Sequence, residues 1–172
     1  MATPSTENYT IGKGVLYFDR HVNGVPSGMR DLGNAPNFTL TVTPEILDHF
    51  SSREGLKKKD KSVVVSLALG GKFTLEEYDI DNLALALYGS VSGRTMTLLA
   101  EQKVEGHLRF IGDPAQGPQY KVELWKVTLK PAGELGFISD EWGKIDFEFT
   151  VEDDSDNHPT SPYGTIEQFW DS

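Results

Sequence analysis

The residue types of a hydrolytic relay come together in the stretch Glu45–Lys61, EILDHFSSREGLKKKDK, where Asp48, His49 and Ser51 nearly adjoin. Nucleophilic hydrolysis needs a carboxylate that orients an imidazole and an imidazole that takes the proton of a hydroxyl. Adjacent side chains on extended backbone point to opposite sides, so Asp48 and His49 cannot form that relay by proximity. A nucleophile elbow of the Gly-x-Ser-x-Gly type is absent. The histidines His21, His49, His107 and His158 show neither His-x-x-x-His nor His-Glu-x-x-His spacing. Glu152–Asn157, EDDSDN, has the acids of a calcium loop without its central glycine or closing glutamate, and reads as a solvated acidic turn. Gly12-Lys13-Gly14 and Gly70-Gly71-Lys72 lack the frame of a phosphate loop. The residues therefore point to no enzyme, and no catalytic, metal or cofactor site is expected.

Two kinds of binding residue remain. Trp125, Trp142 and Trp170 are candidates for stacking on sugars or bases. Trp125 shares a strand face with Val127 and Leu129 and is expected in the core or an interface, whereas Trp142, in DEWGK, is expected to be exposed. A carbohydrate-binding β-sandwich module is the alternative this leaves open. The other candidate is the basic run Lys57, Lys58, Lys59 and Lys61. It has no interleaved aromatics, and the chain around it carries a net charge of -10 with a pI near 4.8, which argues against nucleic-acid binding. A basic protrusion on an acidic body complements a second copy of the same chain and favours head-to-tail association. The connection Pro44–Lys61 is also longer than a hairpin needs, which suggests a function. Asp48, His49 and Arg53 are expected to hold it by hydrogen bonds or ion pairs.

The elements that must position these residues are mostly strands. Gly14–Val22, GVLYFDRHV, reads as a strand running into Asn23-Gly24, a strong hairpin-turn signal. Gly28–Asn37 reads as a loop, with Pro26 and Pro36 disfavouring a central strand. Phe38–Thr43 alternates Phe38, Leu40 and Val42 against Thr39, Thr41 and Thr43. Ser62–Leu69 sets Val63, Val65, Leu67 and Leu69 against Ser62, Val64, Ser66 and Ala68. These two strands bracket the basic stretch and predict a hairpin with a long protruding loop over residues 44–61. Thr74 and Glu77 form a capping box for one helix, with an apolar stripe Ile80, Leu83, Ala84, Leu87, Tyr88 and a closing Gly89. Later strands are predicted in KVEGHLRFI, YKVELWKVTLK, KIDFEFTVE and YGTIEQFW. Ile145, Phe147, Phe149 and Val151 face inward in the third of these, against Asp146, Glu148 and Glu152.

Seven or eight strands with one helix predict a mainly β fold, a sandwich or partial barrel with a single flanking helix. The 172 residues, 38% hydrophobic and 24% charged, suit one globular domain with a loose arm over residues 1–8. There is no cysteine, hence no disulfide and no thiolate chemistry. The polar start is unlike a signal peptide, and no apolar run reaches membrane-spanning length, so a soluble protein made in the cytosol is expected.

The run from GKGVLYFD through RDLGNAPNFTLTVTPEILDHFSSREGLKKKDKSVVVSLALGGKFTLEEYDIDNLALALYG resembles the major tail tube proteins of long-tailed, siphovirus-type bacteriophages. The telling parts are Leu32-Gly33-Asn34, Asp48-His49 with Ser51-Ser52 and Gly55, and Leu87-Tyr88-Gly89. The resemblance covers about the first half of the chain; the second half matches only in general character. It implies a virion structural protein, assembled in the host bacterial cytoplasm, whose copies form hexameric rings that stack into a hollow tube. Each subunit's sheet would join its neighbours' in a continuous barrel. The implied partners are further copies, a tape-measure protein, tail tip and tail terminator proteins, and DNA passing non-specifically through the lumen; no membrane and no cofactor are implied. A tube protein of a contractile tail or secretion apparatus shares this logic. On this reading Thr39, Thr41, Thr43, Ser62 and Ser66 line the channel, a wall without cations to hold phosphates. Asp48, His49, Arg53, Lys57, Lys58, Lys59 and Lys61 form the intersubunit loop.

Overall fold

A computed structural model describes residues 4–169 of the chain. Ten strands are present among them: β1 (Gly14–Val22), β2 (Val25–Asp31), β3 (Asn37–Ser51), β4 (Lys58–Leu75), β5 (Ser90–Ser92), β6 (Thr95–Thr97), β7 (Val104–Gly112), β8 (Gln119–Pro131), β9 (Ile145–Val151) and β10 (Gly164–Phe169). A helix, α1 (Ile80–Ala86), lies between β4 and β5. Eight strands make one antiparallel sheet in the order β2-β1-β7-β8-β9-β4-β3, with β10 added to β8, while β5 and β6 form a separate ribbon that the sequence reading did not anticipate. The expected class, mainly β with one flanking helix, is what the chain adopts. The sheet does not close into a barrel within one chain.

It does curl. The ring of Phe38 on β3 lies 5.4 Å from that of Phe110 on β7, although three strands separate β3 from β7 in the sheet order. The concave side holds the core: Leu16 and Phe18 of β1, Phe73 and Leu75 of β4, Leu108 of β7, and Ile145, Phe147 and Phe149 of β9. Phe73 stacks on Phe147 at 5.0 Å. The period-two reading of β9 holds throughout, with Ile145, Phe147, Phe149 and Val151 all buried. Asn23 and Gly24 have φ of 51° and 78° and close a two-residue turn between the paired Val22 and Val25, as a primed hairpin turn requires.

Several expectations fail for local reasons. The helix does not begin at Thr74. Thr74 and Leu75 are the end of β4, pairing with Asp146 and Ile145. The Thr74 hydroxyl donates to Asp146 (2.6 Å) and accepts from Asn37, and Glu77 instead accepts from the backbone of Asn34. Both members of the supposed capping box are thus engaged elsewhere. The N-cap is Asp79, whose carboxylate accepts from the Asn82 backbone at 2.8 Å. At the other end Tyr88, not Gly89, takes the left-handed conformation (φ 50°), and Gly89 N–H donates back to the Ala84 carbonyl, a Schellman-type closure. Of the expected apolar stripe only Ala84 is fully buried; the helix instead sinks Leu85 and Ala86 into the core and is held by buried Asn82, which donates to the Leu32 and Glu77 carbonyls and accepts from Arg30.

Gly28–Asp31, read as loop, belongs to β2, which tolerates Pro26 because it is an edge strand. Trp125 does not share the core face of Val127 and Leu129. An irregularity in β8 between Leu124 and Val127 turns it outward, where it stacks on His158. Of the arm at 1–8, the described part includes a single 3-10 turn, Thr6–Asn8, capped by Ser5. Met1–Thr3 and Trp170 lie outside the described residues.

Candidate functional site

β3 and β4 outrun the rest of the sheet. β9 leaves β4 at the pair Leu69–Val151, but β3 and β4 continue pairing to Ser51–Lys58. The protruding loop expected over 44–61 is therefore corrected: most of it is ladder, and only residues 52–57 lie outside strands. Lysine and aspartate are poor strand formers mainly where they must pack against neighbours. On an arm with solvent on both sides they have none to disturb, and an edge strand favours lysine.

Two bulges set the faces of this arm. Val65 and Asp60 are the extra residues in β4 between the pairs Glu45–Ser66 and Ile46–Val64, and between His49–Lys61 and Phe50–Lys59. Each bulge moves the following part of β4 to the opposite face. Ser66 stays on the threonine face, donating to Glu45 at 3.0 Å. Ser62 does not: it pairs with Asp48 and donates to its carboxylate at 2.5 Å, on the face of Val42 and Ile46. Ser62 and Ser66, expected on one channel face, thus lie on opposite faces because of Val65.

The relay residues are likewise divided. Asp48 holds Lys59 at 2.9 Å besides Ser62, while His49 meets Asp60 at 2.6 Å across the other face. The hydrogen bond from Ser62, and then Lys59, keeps the Asp48 carboxyl below the usual carboxylate range. Asp48 and His49 thus each bond from β3 across to β4, on opposite faces of the arm, whereas Arg53 makes no such bond among the described residues. Arg53 and Lys57 lie in the tip turn; Lys58 and Lys61 lie at the start of β4. All are exposed.

Sequence reasoning missed how apolar the arm is on both faces. Val42, Ile46, Val64 and Leu67 are exposed on one side, and Leu47 and Val63 on the other. The alternation was visible, but no core lies beneath either face once β9 has ended. A two-stranded hairpin alone in water is at best marginal.

Nearer the body, Thr39, Thr41 and Thr43 pair with Lys72, Gly70 and Ala68, and beside these lie Glu148 and Thr150 of β9 and Lys130 and Thr128 of β8. Together they form a polar face opposite the core, with a shallow groove of about 520 Å³. Lys72 approaches Glu148 at 3.7 Å. Further along the same outer face, burial of His107 lowers its basicity more than nearby Glu123 raises it. Glu152, whose carboxyl burial would push up, is held below its usual range by Thr128 and Lys103. Among the described residues no group of three or more His, Cys, Asp or Glu could hold a metal ion, and no helix is long and apolar enough to cross a membrane.

The class these features define is an antiparallel β protein with a projecting hairpin arm. The chain belongs to the family described as protein of unknown function UCP028589, whose model matches it in two overlapping segments, residues 9–109 and 92–167. No curated protein matches it.

Proposed function

We propose that the protein is a structural subunit that assembles with copies of itself into stacked hexameric rings, the hollow tail tube of a long-tailed bacteriophage through which DNA passes. The observation that carries this reading is the arm: two long strands leave the sheet with apolar side chains exposed on both faces and no third strand beside them. Such a surface is satisfied by another protein surface, and the free edge of β3 offers a whole strand of backbone groups for pairing. A closed barrel shared among copies removes these edges. The threonine face is suited to line the lumen, since Thr39, Thr41 and Thr43 offer phosphates no cation to bind; of the two lysines beside them, Lys72 lies 3.7 Å from Glu148, and Lys130 is the cross-strand neighbour of the same glutamate.

Sedimentation velocity on the purified protein, before and after prolonged incubation at high concentration, tests the reading. Conversion of the 19.1 kDa chain into large, uniform particles supports it. A chain that stays monomeric at every concentration argues against it.

A further inference from the structure

Among the described residues, Arg53, Lys57, Lys58 and Lys61 at the arm's tip make no salt bridge and no side-chain hydrogen bond; of the tip's cations only Lys59 is engaged, by Asp48. Beside them Leu56 is 84% exposed. The mirror image of this surface occurs elsewhere on the chain. The segment 132–144 between β8 and β9 carries Glu134, Asp140 and Glu141, whose carboxylates are equally unpartnered among the described residues. In the same segment Phe137, Ile138 and Trp142 are 71%, 99% and 97% exposed. The segment is held at its base, where Ala132 N–H donates to the Asp146 carbonyl and the Phe137 ring meets Tyr78 edge-on at 6.0 Å. Three large apolar side chains presented this way, with acids around them, mark a contact surface.

The two surfaces lie at opposite ends of one strand. Lys58 opens β4, and Leu75, its last residue, pairs with Ile145, which directly follows the acidic segment. At about 3.3 Å per residue the strand puts them on the order of 55 Å apart. They cannot meet within a chain. In two copies arranged head to tail they can, and such a contact leaves a free tip on one copy and a free acceptor on the other, so it can repeat from copy to copy. We infer that segment 132–144 of one copy receives the arm tip of the next, its acids facing Arg53, Lys57, Lys58 and Lys61 and Trp142 packing against Leu56. The inference rests on the self-assembly reading above and names the acceptor surface. It also gives the stack a polarity.

Two charge-reversed variants test it: Lys57→Glu/Lys58→Glu/Lys61→Glu, and Glu134→Lys/Asp140→Lys/Glu141→Lys. Each alone places like charges across the contact and should raise the assembly threshold by about tenfold or more. Mixed in equal amounts they should assemble in alternation, with a threshold near that of the unaltered chain, because each tip then matches the other's acceptor. A mixture no better than either variant overturns the inference. Because the chain has no cysteine, a second test is independent of the charge changes. A chain with Lys57→Cys and Glu141→Cys should give a ladder of disulfide-linked multimers on oxidation, and one with Lys57→Cys and Arg94→Cys should not. Assemblies that form without the ladder overturn this contact and leave self-assembly standing. A chain that never assembles overturns both.

Discussion

Leu47 and Leu67 occupy opposite faces of the arm, opposite Val63 and Pro44 respectively, and each is 66% exposed. Replacing each separately by serine asks which face assembly covers. Full burial of a leucine is worth about 1.5–3 kcal/mol, so the two-thirds still in water can yield about 1–2 kcal/mol on association. At 1.4 kcal/mol per factor of ten, losing that term raises the concentration needed for assembly about 5- to 30-fold. The unassembled chain should hardly notice. Surface changes of this kind stay within about 0.5 kcal/mol, or roughly 1–2 °C in Tm for a chain of this size. Light scattering across a dilution series gives the threshold, and circular dichroism melting of dilute protein gives the control. Thresholds unmoved in both variants would refute the argument that the arm is covered in the assembly. A melting temperature lowered by many degrees would show instead that these leucines already pack within one chain.

The core and the titratable groups give further tests. Phe147→Ala removes a ring that is 1% exposed and stacked on Phe73, and should cost about 3–5 kcal/mol in urea unfolding; a loss below about 1 kcal/mol would contradict the packing described. Gly24→Val forces a β-branched residue to a φ of 78° in the primed turn and should cost about 1–2 kcal/mol in the same assay. His107, facing Glu123, Arg109, Asp19, His21 and Trp125, is less basic in the folded chain than in the unfolded one. The unfolded chain therefore binds its proton first, and the stability His107 contributes is present above the ordinary imidazole range and lost as pH falls through it. Thermal melts between pH 8 and 5 should show a smaller decline for His107→Gln than for the unaltered chain; equal declines would count against the burial argument.

What the sequence disclosed about the fold was written in short, local patterns. Asn23-Gly24 specifies its turn because few other residues accept two positive φ angles in succession. The alternation of Ile145, Phe147, Phe149 and Val151 survives because β4 pairs with β9 in unbroken register along its whole length, and β8 does so from Phe147 to Val151. The bulges at Val65 and Asp60 carry no mark in composition, yet the one at Val65 decides that Ser62 and Ser66 part company. The capping box at Thr74 misled because local preference was overridden by the ladder to β9 and by Asp146, more than seventy residues away, which takes the Thr74 hydroxyl. Of the candidate site, the basic tip was legible as a charge run. Its extended backbone was not, since lysine favours strand only where nothing must be packed against it. Of the acidic segment 132–144 only Trp142 was expected to be exposed, from its setting in DEWGK; the exposure of Phe137 and Ile138 is a property of where β8 and β9 end, not of the segment's own composition.

The central claim, that copies of this chain build a hollow tube, is tested most directly by electron microscopy of the protein after prolonged incubation, with end-on views averaged. The account predicts tubes of uniform width with six subunits around an open channel, and Thr39, Thr41 and Thr43 on the channel side. Solid aggregates, or isolated chains at every concentration, would contradict it.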